Sequence, residues 1–204
     1  MKRTTLFLQA IVFAVTLLLI VTGASAQIGP PRPPIEPSVE AVLQVIIGSN
    51  DSADGNLPAG LRGLTGQLRA NFPFPNYRLD STYVGRLGGS GTFEYKSISN
   101  TIGSGPDSDT PTFLEWTLGN LRTSSDGKTM YQAEPFRFGA RVPVRISSFK
   151  DEGGKVLSNV NYEAVGLTVN RVSLAANTPT LIGTISLPKT AGTLFLVLTV
   201  RPAE

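Results

Sequence analysis

The chain has 204 residues, of which 16% are charged and 41% hydrophobic, and it contains no cysteine and no histidine. The length fits one domain with a tail. Without these two residue types there can be no disulfide, no Ser-His-Asp triad and no usual thiolate or imidazole metal site. We therefore expect a non-enzymatic protein without a cofactor or a bound metal.

The first 26 residues have the three parts of a secretory signal peptide. Lys2 and Arg3 form a short positive end, 6–21 are almost wholly apolar, and Ala24-Ser25-Ala26 offers a small-residue cleavage site. The apolar run is shorter than the ~20 residues that cross a bilayer comfortably. We expect cleavage after Ala26 and export to the periplasm, to the outer membrane or out of the cell. A retained membrane anchor is the alternative.

A proline-rich segment follows the predicted cleavage site. Five prolines in 27–38 favour an extended spacer, which places the start of a single β-rich domain at 39–204. Removal of 1–26 takes away two basic residues and no acid, which leaves a net charge of +1. The chain has no block of Lys or Arg, so nucleic acid is not an expected partner.

The first two elements of the domain differ in hydrophobic period. Apolar residues occupy both alternating sets of Val39–Ile47, which predicts a strand buried on both faces. The stripe formed by Leu57, Leu61, Leu64 and Leu68 predicts an amphipathic helix. Three glycines on that helix suggest a close approach to a sheet, since glycine lowers helix propensity. These glycines are Gly60, Gly63 and Gly66.

Everything after Asn76 has the pattern of strands separated by turns rich in Gly, Ser and Asp. The predicted fold class is α+β and mainly β, an antiparallel, β-sandwich-like domain with one amphipathic helix after the first strand. The predicted strands are Tyr77–Leu87, Thr92–Ile98, Thr112–Arg122, Met130–Phe138, Ala140–Ser147, Tyr162–Ser173, Thr180–Leu187 and Thr193–Arg201.

One strand carries a candidate binding surface. Arg137, Arg141 and Arg145 share one face, and apolar residues from Phe138 to Ile146 share the other. At ~3.3 Å per residue the arginines lie about 13 Å apart, a ladder of positive charge suited to an anionic polymer or a lipid surface. An ordinary solvated strand face is the alternative. Pro143 lacks an N–H, so we expect an edge or a bulge there.

Two other kinds of site remain open. Aromatic rings stack on sugar faces, and an envelope glycan could meet exposed rings together with the arginine ladder. The rings considered are Tyr77, Tyr83, Tyr95 and Trp116. A carboxylate-based hydrolase would need two converging acids. The candidate acids are Glu94, Glu115, Glu134 and Glu163.

The order of the later β segments resembles a known family. Phe136–Val144 contains Gly-x-x-Val-Pro-Val, Val160–Val169 contains Tyr-x-x-Val-Gly-Leu-x-Val, and Leu196–Pro202 ends the domain. This order is similar to the core of bacterial secretins, the outer-membrane ring proteins of type II and III secretion and pilus systems. The similarity covers Glu134–Arg201, and Val39–Ile47 looks like the family's opening strand.

The resemblance implies a β module that self-associates or docks on an envelope assembly, and it transfers no catalytic residue. We therefore expect an exported secretin-like module that works by protein–protein contact or self-assembly. The alternatives are a monomeric binding module for a glycan or another anionic polymer and, less favoured, a carboxylate-based hydrolase.

Overall fold

A computed structural model describes residues 38–50, 57–88, 91–102, 110–123, 130–150, 152–154, 156–187 and 192–203. All of them belong to one compact unit, Glu36–Glu204. The predicted signal peptide and residues 27–37 of the predicted spacer lie outside the described residues.

Within the described residues, strands dominate and one α-helix follows the first strand, which confirms the predicted fold class. A short 3-10 helix, Ala59–Leu61, leads into the α-helix α1, Arg62–Asn71. The strands are β1 (Val39–Ser49), β2 (Asn76–Leu87), β3 (Phe93–Ser99), β4 (Thr112–Leu118), β5 (Arg122–Thr123), β6 (Met130–Ala133), β7 (Phe136–Lys150), β8 (Val156–Val169), β9 (Val172–Ala175), β10 (Thr180–Ser186) and β11 (Thr193–Pro202).

The strands form three sheets. Sheet A has the order β10-β11-β1-β2, sheet B has the order β3-β4-β7-β8, and the small sheet C has the order β5-β6-β9. All of these strand pairings are antiparallel. One buried cluster, the main core, takes side chains from all three sheets, among them Leu43, Trp116 and Leu174. Sheets A and B thus face each other across an apolar layer, as in a β-sandwich.

The pair β1–β11 is buried on both faces, as the sequence of β1 predicts. Leu43 of β1 and Leu196 of β11 face the main core. Ile46 of β1, with Phe195 and Val197 of β11, faces a second cluster on the other side of sheet A. These two strands therefore form the middle layer between sheet B and the helix.

The helix covers one end of sheet A through the predicted leucine stripe. Leu57, Leu61, Leu64 and Leu68 are all buried in the second cluster. The expectation for the three glycines is wrong, because a Cβ placed on Gly60, Gly63 or Gly66 would meet nothing within 4 Å. The glycines lie on the solvent side of the helix.

A bulge in β2 changes which face its side chains occupy. The register with β1 shifts by one residue at Asp80. As a result Tyr77 joins the second cluster and Tyr83 joins the main core, although both positions are odd. The Asp80 side chain is only 1% exposed, and it accepts hydrogen bonds from the hydroxyls of Ser81 and Thr101.

Several predicted strand boundaries are wrong. The predicted strands Thr112–Arg122 and Tyr162–Ser173 are each divided, the first into β4 and β5 and the second into β8 and β9. The predicted strand Met130–Phe138 is interrupted at Glu134-Pro135, where Gly119 exchanges backbone hydrogen bonds with these two residues. Beyond this point β7 continues without a break through Gly139 as far as Lys150. Its partner β8 begins at Val156, six residues earlier than predicted, so the two strands form a long hairpin.

The hydroxyl of Tyr77 contacts the backbone at the C-terminal end of the helix. It lies 3.1 Å from the carbonyl oxygens of Leu68 and Phe72 and can donate its proton to either one. The Leu68 carbonyl already accepts the backbone N–H of Phe72, so the phenol adds a second contact at this carbonyl or satisfies the Phe72 carbonyl just beyond the helix. Burial raises the pKa of Tyr77 above its ordinary value.

We predict that Gly63→Ala and Gly66→Ala each stabilise the protein by about 0.5–1 kcal/mol, because alanine lowers the backbone entropy of the unfolded chain and its Cβ has open space. Urea unfolding followed by Trp116 fluorescence measures this. Gly48→Ala is the control and should destabilise, since its Cβ would lie 2.7 Å from the Phe195 ring. Destabilisation by Gly63→Ala or Gly66→Ala would contradict the conclusion that these glycines face solvent.

We predict that Tyr77→Phe costs about 1 kcal/mol at neutral pH through loss of the hydrogen bond. The raised pKa of Tyr77 favours the neutral phenol in the folded state, so this stabilisation is present below pH 10 and is lost as the pH rises through the folded-state pKa. The stability difference between wild type and Tyr77→Phe should therefore shrink in alkaline urea titrations. A stability difference between wild type and Tyr77→Phe that does not change with pH would contradict the role of the neutral phenol.

Candidate functional site

The arginine ladder lies on the outer face of sheet B. Arg137, Arg141 and Arg145 are exposed, while Phe138 and Val142 between them are buried in the main core. This is the predicted alternation, and it ends where the β7–β8 register shifts at Ile146. The sequence pattern places Ile146 on the apolar face, but Ile146 is 64% exposed. A bulge at Ile146 adds one residue to β7 and interrupts the alternation just beyond the core.

Pro143 lies where β7 has one partner strand only. β7 is an interior strand of sheet B, but its pairing with β4 ends at Arg141. Pro143 pairs only with Tyr162 of β8. Because no residue of β4 pairs with Pro143, the missing N–H removes no hydrogen bond between β7 and β4.

The register of sheet B places its outward side chains in rows across the strands. One row contains Lys96, Glu115, Gly139 and Gly166, which lie on β3, β4, β7 and β8 in that order. The next row in the direction of the hairpin turn contains Ile98, Phe113, Arg141 and Ala164.

The row with two glycines forms a groove across the sheet. The groove has a volume of about 530 Å³, and Gly139, Ala164 and Gly166 provide the low part of its lining. A Cβ on Gly166 would lie 2.8 Å from the backbone oxygen of Phe138, whereas a Cβ on Gly139 would lie 3.3 Å from the Glu115 side chain. Gly166 is exposed at the floor of the groove, whereas the Glu115 side chain lies close to Gly139.

An aromatic platform borders the groove. Phe113 is 42% exposed and Tyr162 is 37% exposed, with 5.5 Å between their ring centroids. The Arg141 guanidinium carbon lies 5.8 Å from the centroid of Phe113, so its side chain is held against the ring by a cation–π contact.

Only some of the charged side chains on the outer face of sheet B form ion pairs with described residues. Lys96 Nζ lies 2.9 Å from Glu94 Oε1, and this hydrogen bond raises the pKa of Lys96. Arg137 and Arg141 form no ion pair with any of the described residues. Glu115 lies on the same face beside the groove and forms no ion pair with a described residue either, so its negative charge offsets part of the charge of the two arginines.

The aromatic residues proposed for glycan stacking do not form an exposed set. Tyr77, Tyr83 and Trp116 are buried and Tyr95 is half-buried. Among the described residues the exposed rings are Phe113, Phe149 and Tyr162, none of which is among the predicted stacking residues. Strand alternation could have identified Phe113, because a buried Trp116 places a residue three positions away on the opposite face.

The candidate acids are spread over the molecule. Glu115 borders the groove, Glu94 pairs with Lys96, and Glu134 forms an ion pair with Arg171. Glu163 is exposed and pairs with the inward-facing Val142, so it lies on the other face of sheet B. Among the described residues, no group of three or more His, Cys, Asp or Glu could hold a metal ion.

The β7–β8 hairpin extends beyond the core. We call its outer part, Arg145–Lys150 with Val156–Asn161, the arm. All six residues of Arg145–Lys150 are exposed, so both faces of this strand meet solvent. Two are large and apolar: Ile146 is 64% exposed and Phe149 is 57% exposed.

Comparison with known proteins identifies no relative. No protein-family model matches the chain, and no curated protein or solved structure matches it either. The secretin resemblance therefore stays a prediction from the sequence. Among the described residues, no helix has both the length and the apolar character needed to span a membrane.

Proposed function

We propose that this chain is a non-enzymatic, exported, secretin-like β module that acts by protein–protein contact, and that the arm joins copies of the chain. The observation that carries the proposal is the exposure of Ile146 and Phe149 on a strand that has solvent on both faces. Large apolar side chains exposed close together in the sequence of one strand are a feature of contact surfaces.

The arm gains stability from a partner. Its six β7 residues extend about 20 Å beyond the core, and no strand of the described residues pairs with the outer edge of β7 after Arg141. An isolated two-stranded ribbon is at best marginally stable in water. Burial of Ile146 and Phe149 against a partner contributes a hydrophobic term that the monomer lacks.

A second copy of the chain fits the chemistry of this edge. Exposed strand edges are usually protected by charges or prolines. Pro143 protects the base of the arm, but the four residues from Ile146 to Phe149 include neither a charge nor a proline. Two copies therefore present each other with a neutral stretch of strand edge between Arg145 and Lys150, and a twofold contact between them forms a closed dimer.

The charges along the hairpin are compatible with antiparallel arms. Arg141 and Arg145 lie toward its base, and the exposed Glu152 lies in its turn. Antiparallel arms place the turn of each copy beside the base of the other. Glu152 of one copy then approaches the arginine ladder of the second.

We predict that the wild-type protein self-associates with increasing concentration in sedimentation velocity. The double variant Ile146→Thr/Phe149→Thr should weaken this association by about tenfold or more, because it removes apolar area while keeping residues that favour strands. Its melting temperature should change little, since neither side chain packs in the core.

Val84→Thr is the matched control, because Val84 is 53% exposed on sheet A, away from the arm. Ser148→Lys tests the strand edge without altering an apolar side chain, and it should also weaken association. A wild type that is monomeric at every concentration would overturn the self-assembly proposal. Undiminished association of the double variant would show that the arm is not the contact.

A further inference from the structure

We propose that the groove on the outer face of sheet B binds an acidic polysaccharide, one whose pyranose units carry carboxylates. This inference goes beyond self-assembly, because the groove residues lie outside the arm. The ligand is identified by the combination of an exposed aromatic platform, cations without described carboxylate partners and a backbone floor.

The platform suits the apolar face of a pyranose ring. Phe113 and Tyr162 expose parts of neighbouring rings, and the small residue Ala164 lies next to them in the sheet. Stacking on aromatic rings buries the C–H face of a sugar and leaves its hydroxyls at the edge. Glu115 and Lys96 line the same groove and can exchange hydrogen bonds with those hydroxyls.

The cations suit carboxylates repeated along a polymer. Arg137 and Arg141 project on the same face of β7, about 13 Å apart, and neither forms an ion pair with a described residue. Guanidinium groups bind carboxylates through paired hydrogen bonds. Two such contacts on one chain raise the affinity of a polymer above that of a single unit.

The floor favours a sugar over an extended peptide. Peptides that add to sheets pair with a free strand edge, but β4 and β7 beside the groove are already paired on both sides at Glu115 and Gly139. A sugar needs no strand edge. Gly166 is exposed and has no side chain, so a ring can approach the sheet closely there, and at Gly139 the ring meets the Glu115 side chain instead.

The test is isothermal titration calorimetry with oligogalacturonate. The titration uses the arm variant Ile146→Thr/Phe149→Thr, so that binding in the groove is measured apart from self-association. An uncharged oligosaccharide of equal length and a polyglutamate peptide serve as comparison probes. We expect oligogalacturonate to bind more tightly than either, with an affinity that falls as salt is added.

Three added substitutions locate the site. Arg141→Gln and Phe113→Ala should each weaken oligogalacturonate binding by about fivefold, and Gly139→Val should abolish it by filling the groove. Arg62→Gln removes an exposed arginine from the helix and should have no effect. Melting curves of each variant verify that it is folded.

Three outcomes would overturn the inference. The first is no heat of binding with oligogalacturonate. The second is equal affinity for polyglutamate, which would show a general polyanion surface without sugar recognition. The third is unchanged binding by the Gly139→Val variant. None of these outcomes bears on self-association, which is measured separately by sedimentation.

Discussion

The arrangement of the molecule depends on the burial of β1 and β11 on both faces. Leu43 and Leu196 must be covered on one side of sheet A, and Ile46 and Phe195 on the other. Sheet B provides the first cover and the helix provides the second. Because sheet B needs only its inner face for this task, its outer face is left for contacts with other molecules.

Within the β7–β8 hairpin, the residues that stabilise the core are therefore different from those proposed to contact other molecules. The inner residues of β7 up to Val142 belong to the main core, while its arginines point outward and its last six residues extend beyond the core. The part of β7 that packs in the main core fixes the geometry of the groove, since its pairing with β4 holds Phe113, Arg141 and Gly139 in register. The arm lacks such support, and a partner can supply it.

The two proposed contacts use different physical chemistry. Association through the arm depends mainly on apolar area and on open backbone groups, so salt should affect it weakly. Recognition in the groove depends on guanidinium–carboxylate pairs and on ring stacking, so salt should weaken it.

The sequence predicts the fold class, the double burial of β1 and the helix stripe, because each follows from hydrophobic period alone. It predicts the alternation of the arginine ladder for the same reason. It does not predict the bulges at Asp80 and Ile146, since an extra residue changes which face a side chain occupies without changing composition.

Pairings between distant segments are also hidden from the sequence. The groove requires Glu115, Gly139 and Gly166 to lie in one row, which only the register of three strands determines. The predicted set of glycan-stacking residues is wrong for this reason, because ring type alone does not show which face of a strand a ring occupies. The secretin resemblance depends on short β motifs and stays a prediction from the sequence.

Amide hydrogen exchange tests the central claim most directly, namely that a doubly buried strand pair carries an uncovered arm. At a concentration where the protein is monomeric, amides of Ala41–Ile47 and Leu194–Val200 should exchange only by global unfolding. Amides of Arg145–Lys150 should exchange far faster. Arm amides as slow as those of β1 in the monomer would contradict the account, because the arm would then be covered by its own chain.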